Sequence, residues 1–195
     1  MDYNSGEVIN FDISIVIQYL SRMFNEYFGN LYSSTATLTH YMPLDDLGKL
    51  LTDGPVITYR INYRQPGAAK GKPFSGDPFH IPRLVSKTVD ESMISGREEY
   101  IIFYDNSVEF KIHSTNSILR DSTAMKFEEF MFLAREVIMR QGIEQLYMHS
   151  REDSAERMEG NLVYNANLLY YIRTKSMVTC DIDLIKEIST TLSVD

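Results

Sequence analysis

The sequence predicts an α+β fold: an antiparallel or mixed β-sheet with one long helix and an N-terminal helix packed on it, plus an extended loop. A strand, helix, strand, strand order between Asn106 and Lys175 carries this prediction, together with a helical pattern near the N-terminus. An apolar share of 44%, with 13 Tyr and 10 Phe, is sufficient for a sizeable core. We expect a single domain over residues 1–195, with a core unit at residues 98–178.

The N-terminal third contains a helical pattern followed by a strand pattern. Apolar residues recurring every three or four positions predict a helix over residues 12–28, ended in a left-handed turn by Gly29-Asn30. Residues 31–41 are consistent with a strand and residues 43–51 with a short helix. The clearest early strand runs from Val56 to Tyr63, where alternation is expected to place four apolar side chains on one face: Ile57, Tyr59, Ile61 and Tyr63.

The segment 64–83 is rich in Pro and Gly and cannot hold a helix or a sheet ladder for long. We predict an extended loop or arm, which is either simply solvated or ordered by a partner. As an arm it would offer cations and aromatic anchors to an acidic neighbour. The candidate contact residues are Arg64, Lys70, Lys72, Phe74, Phe79 and Arg83. Direct DNA binding is less favoured because the chain has a formal charge of −8.

The second half contains the strongest helical pattern. Residues 99–114 are predicted to form a hairpin that turns at Asp105-Asn106-Ser107. A long helix follows, capped by Asp121 or Ser122 and ended by Gly142. Its core-facing residues are expected at steps of three and four: Ala124, Phe127, Met131, Ala134 and Ile138, with Phe130 and Val137 beside them.

Shorter strand patterns complete the chain. Residues 146–148 are predicted to form a strand that ends in a charged turn at 150–153. Within that turn, Arg151, Glu152 and Asp153 are either solvated or part of an intersubunit ion-pair patch. A long strand at 162–173, a short strand at 177–179 and a helix at 181–188 are expected to follow.

The sequence contains no pattern that favours catalysis. Its 4 His lie far apart, Cys180 is the single cysteine, and no phosphate-binding loop or metalloprotease motif occurs. We therefore expect no catalytic residues, no cofactor and no metal site. The acidic pI of about 5.0 and the short apolar runs argue against a membrane role, and the N-terminus lacks the basic segment of a secretory signal.

Five segments of the chain, taken in order, resemble small neck proteins of tailed bacteriophages, particularly tail terminators and related tail-completion proteins. The segments are Val108-Glu-Phe-Lys-Ile112, Ala124-Met-Lys-Phe-Glu-Glu-Phe-Met131, Gly142-Ile143, Leu146-Tyr-Met-His-Ser-Arg-Glu-Asp153 and Leu168-Leu-Tyr-Tyr-Ile-Arg-Thr174. The resemblance covers roughly residues 98–178. The N-terminal region and the loop at 64–83 are longer than the minimal family core needs.

The resemblance implies a structural virion protein, assembled in the host cytoplasm, that forms a hexameric ring at the end of the tail tube. Its expected partners are further copies of itself, the tail tube protein and the head–tail connector or stopper proteins. DNA would pass through the lumen without specific binding, and no membrane is involved. Two alternatives are a head-completion adaptor bound to the portal and a nucleic-acid-processing enzyme with a dispersed site.

Overall fold

The computed structural model describes residues 12–31, 37–44, 54–66, 83–90, 95–140, 143–158 and 161–181. These residues form two helices and six strands. In chain order the elements are α1 (Ile13–Leu31), β1 (Thr37–Thr39), β2 (Val56–Pro66), β3 (Arg83–Asp90), β4 (Ser95–Ser114), α2 (Ser117–Arg140), β5 (Gln145–Met158) and β6 (Asn161–Asp181).

The strands form one mixed sheet in the order β1-β2-β4-β6-β5, and β3 also pairs with β4. The β1–β2 pair is parallel and every other pair is antiparallel. Since β6 occupies one edge of β4 along nearly its whole length, β2 and β3 share the other edge. The predicted α+β class is confirmed, and β4, α2, β5 and β6 give the predicted strand, helix, strand, strand order.

The core lies between the two helices and one face of the sheet. α1 packs against β1 and α2, while α2 packs against β4, β5 and β6. Aromatic rings fill the centre, with Phe24 and Phe130 at 5.6 Å and Phe110 and Phe127 at 5.0 Å between ring centroids. The core-facing residues predicted for α2 are buried, together with Phe130, whereas Val137 is exposed.

The helix boundaries differ from the prediction at two places. α1 continues through Gly29-Asn30 to Leu31, so the predicted end of the helix there is wrong. Packing of Tyr27 on Phe130, at 5.5 Å, holds this last turn against the core. α2 begins at Ser117, earlier than predicted, because the side-chain oxygen of Asn116 accepts hydrogen bonds from the backbone of Ile118 (2.9 Å) and Leu119 (3.2 Å).

The predicted hairpin at residues 99–114 is wrong, because β4 runs straight through Asp105-Asn106-Ser107. The carboxylate of Asp105 and the side-chain nitrogen of Asn106 find partners on the neighbouring strand rather than in a turn. The side chain of Asn106 donates to the carbonyl of Ile172 at 2.9 Å and lies 3.2 Å from the hydroxyl of Thr174. A polar segment that would normally favour a turn is thereby stabilised in the middle of a strand.

The predicted charged turn at residues 150–153 is also wrong, since these residues lie within β5. The two strands predicted at 162–173 and 177–179 are a single strand, β6, and β3 was not predicted. A register shift in β2 between Ile61 and Tyr63 turns Tyr63 to the opposite face from Ile57. The predicted short helix from residue 45 onward, residues 67–82 of the loop, and the predicted helix from residue 182 onward lie outside the described residues.

Candidate assembly surface

The predicted contact residues lie on different strands of the sheet. Arg64 lies in β2 and Arg83 opens β3, whereas residues 151–153 lie in β5, on the far side of β4 and β6. The structure therefore does not bring the two predicted groups together within one chain. Four of the predicted contact residues lie outside the described residues: Lys70, Lys72, Phe74 and Phe79.

Arg64 joins β2 to the start of α1. Its guanidinium forms an ion pair with Asp12 at 2.8 Å and lies over the ring of Tyr104, 4.1 Å from the centroid. The carbonyl of Asp12 also accepts the first backbone hydrogen bonds of α1, from Ile15 and Val16. Arg64 thus has a role within the chain, and its contact with a partner stays a prediction.

Arg151 joins β5 to α2 through two carboxylates of the helix and contacts a third on its own strand. It lies 3.2 Å from Asp121, 3.1 Å from Glu128 and 3.2 Å from Asp153. Burial alone would lower the pKa of Arg151, but Asp153 and Glu128 outweigh it and raise that pKa above its ordinary value. Glu152 points to the opposite face of the sheet and is exposed. The structure therefore gives Arg151 and Asp153 partners within the chain, and the intersubunit patch stays a prediction.

The outer surface of α2, away from the sheet, carries a row of exposed apolar side chains. Ile118, Met125, Phe132 and Met139 recur every seven residues and are 78%, 66%, 71% and 37% exposed. Seven residues are almost two helical turns, so these side chains form one stripe along the helix. We call these four residues the outer stripe. Leu133, also exposed, lies beside it.

A helix that is apolar on both sides is normally buried on both sides. The inner side of α2 meets this expectation within the chain, whereas the outer stripe has no cover among the described residues. Exposed apolar side chains grouped in this way mark interaction surfaces in soluble proteins. The sequence interpretation covered the core-facing side of this helix and missed the apolar residues of the outer side. Their spacing of seven residues was the signal in the sequence that could have identified them.

Two exposed carboxylates lie next to the four residues of the outer stripe. Glu129 and Glu136 follow Met125 and Phe132 by four residues each, on the same side of the helix. Neither forms an ion pair with a described residue. Acidic groups set among exposed apolar side chains favour a partner that supplies both cations and apolar groups.

Two open cavities adjoin the stripe, and Phe132 lines both. The first has a volume of about 410 Å³ and lies along α2, and the second, of about 200 Å³, lies between α2 and the edge strand β5. The second cavity has an apolar floor that includes Met131, Leu146 and Tyr170. Grooves of this kind accept an inserted apolar or aromatic side chain.

The opposite face of the sheet holds a buried ion pair. Arg173 contacts both carboxylate oxygens of Asp105, at 2.7 and 3.1 Å, and the hydroxyl of Tyr171 donates to Asp105 at 2.5 Å. Burial, with the hydrogen bond and the negative charge of Asp105, raises the pKa of Tyr171, so this phenol stays protonated and acts as a donor. The cluster connects the two central strands, β4 and β6, and its geometry suits a structural role.

His113 lies farther along the same face. Its ring nitrogens are 2.8 Å from the side-chain oxygen of Asn165 and 3.0 Å from the hydroxyl of Thr58. Burial lowers the pKa of His113 to about 4, although Asn165 opposes this change. His113 is therefore neutral at neutral pH. The amide nitrogen of Asn165 and the hydroxyl of Ser154 on the adjacent strand find no hydrogen-bond partner in the described part of the chain.

Within the described residues no group of three or more His, Cys, Asp or Glu side chains has the arrangement of a metal site. Neither of the two described helices combines the length and the apolar composition needed to cross a membrane. A comparison with protein-family models gave no match, and a comparison with curated protein sequences gave none either.

Proposed function

We propose that this protein is a non-enzymatic structural subunit of a bacteriophage neck, a tail terminator that forms a ring on the end of the tail tube. In this role the ring joins the tube to the head connector and lets DNA pass through its lumen without specific binding. The protein is assembled in the host cytoplasm and ends in the virion. The observation that carries the proposal is the outer stripe of α2, a surface suited to assembly.

The order of elements also supports this function. β4, α2, β5 and β6 follow one another in the part of the chain that resembles phage neck proteins, residues 98–178. The single sheet with both helices on one side is the kind of subunit that the resemblance implies.

The charges on α2 favour a ring over a closed dimer. Glu129 lies near the middle of the outer stripe, so a twofold pairing of two stripes would bring this carboxylate against its own copy. Like charges at the centre of an interface are unfavourable. A contact between two different surfaces avoids this repulsion, and repeated contacts of that type generate rings when the rotation closes.

The mass of the purified full-length chain in solution tests this function. We expect six copies of the 22.5 kDa chain, about 135 kDa, in native mass spectrometry. A twelve-fold ring would instead support a head-completion adaptor. A stable monomer that turns over a nucleotide or nucleic-acid substrate would contradict both structural functions.

A further inference from the structure

The outer stripe of α2 needs a partner of particular chemistry. Its side chains are apolar, and Glu129 and Glu136 add two negative charges without an ion-pair partner among the described residues. Burying an unpaired carboxylate costs several kcal/mol, so a purely apolar partner would be unfavourable here. The partner must bring cations next to apolar or aromatic groups.

We propose that the outer stripe binds residues 67–82 of a second copy of this chain. That segment contains Lys70 and Lys72 together with Phe74 and Phe79. The two lysines equal the two glutamates in number and are opposite to them in charge. The two phenylalanines match the apolar stripe and the cavities next to Phe132.

The position of the segment favours a second copy over the same copy. Residues 67–82 connect Pro66 of β2 to Arg83 of β3, both of which pair with β4 on the edge away from β6. α1 packs against β1 and α2 on this side of the sheet. The outer stripe lies on the side of α2 that faces away from the sheet, whereas both ends of this segment lie in the sheet itself. In a ring the stripe of a neighbouring subunit can meet the segment, and the mixing experiment below separates this arrangement from docking within one chain.

This inference rests on the proposed function in one respect, namely that copies of the chain associate. The inference adds the identity of the two surfaces that meet, the outer stripe of one copy and residues 67–82 of the next. The contact joins two different surfaces, so it is of the type that builds a ring.

Charge reversal on each side tests the inference. We expect Glu129→Lys/Glu136→Lys and Lys70→Glu/Lys72→Glu each to weaken self-association at least about tenfold in sedimentation, because each creates like charges at the contact. The matched control is Tyr19→Ser, which removes an exposed aromatic ring from α1 and is expected to leave association unchanged. Unfolding in urea checks that every variant keeps the fold.

Mixing the two charge-reversed variants shows whether the segment docks on the outer stripe of another copy or on that of its own chain. In the mixture the lysines of the first variant's segment can meet the glutamates on the second variant's stripe. The glutamates of the second variant's segment can likewise meet the lysines on the first variant's stripe. We expect association to return on mixing. If it returns only when all four substitutions are in one chain, the segment docks on its own α2 and the inference is wrong.

A second test uses the apolar side chains. We expect the Met125→Ser/Phe132→Ser variant to be monomeric at concentrations where the wild-type chain is assembled. If the charge-reversed and serine variants associate like the wild-type chain, this inference fails while the ring remains. If the wild-type chain is a monomer at every concentration, the ring proposal fails as well.

Discussion

Removing the Asp105 carboxylate is expected to be among the most destabilising single changes in the sheet. Asp105 is 1% exposed and Arg173 is 6% exposed, so Asp105→Ala leaves a buried guanidinium without its counter-ion. Breaking one side of a buried ion pair costs about 3–5 kcal/mol. The hydroxyl of Tyr171 also loses its charged acceptor. We expect the free energy of unfolding, measured in urea, to fall by about 3–5 kcal/mol.

Two further variants separate the buried charge from the lost contacts. The triple variant Asp105→Leu/Tyr171→Phe/Arg173→Met replaces the whole cluster with apolar groups, so none of its polar groups is left unpaired. We expect it to lower the free energy of unfolding by less than Asp105→Ala alone. The matched control is Glu26→Ala, which breaks the exposed Arg22–Glu26 pair and is expected to change the unfolding free energy by less than about 0.5 kcal/mol. A loss below about 1 kcal/mol for Asp105→Ala would refute the reasoning, because the pair would then behave like one on the surface.

Three other changes probe the fold. His113 has a pKa of about 4 in the folded chain, against 6.5 for the free side chain, so the unfolded chain binds more protons between these values. Stability should therefore fall by up to about 3 kcal/mol as pH drops from 6.5 to 4, and His113→Gln should flatten this dependence in urea titrations; an unchanged slope would show that His113 is not the group responsible. Asn116→Ala removes the cap of α2 and should cost about 0.5–2 kcal/mol in unfolding free energy, whereas a neutral result would contradict the capping role. Arg151→Met and Glu128→Ala should couple by about 0.5–1 kcal/mol in a double-mutant cycle, and strict additivity would show that the ion pair contributes nothing.

Local periodicity was enough to predict the helices and the type of fold. The inner face of α2 repeats at steps of three and four over about four turns, so its buried residues were correctly identified from Ala124 to Ile138. The same reasoning identified α1 and the strand that begins at Val56. In these elements the local pattern and the tertiary packing favour the same structure.

The errors fall where polar residues are stabilised by distant partners. Asp105 has the composition of a turn residue, yet its partners Tyr171 and Arg173 lie 66 and 68 positions along the chain. Arg151 likewise meets Glu128 and Asp121 from positions 23 and 30 residues away. A local pattern contains no information about such pairs, because the competition between a turn and a strand is decided by cross-strand bonds.

The candidate assembly surface was predicted only in part. The sequence indicated charged and aromatic contact residues at 64–83 and at 151–153, and the structure gives Arg64 and Arg151 partners within the chain. The outer stripe of α2 was visible as a spacing of seven, but exposure depends on which side of the helix the sheet covers. That side is fixed only when α2 packs on β4, β5 and β6.

A reconstruction of the assembled particle, with this chain located in it, tests the central claim most directly. The account predicts six copies around a channel at the end of a tail tube, with the outer stripe of each α2 buried against the next copy. A closed twofold dimer, or copies whose outer stripes all face solvent, would contradict it.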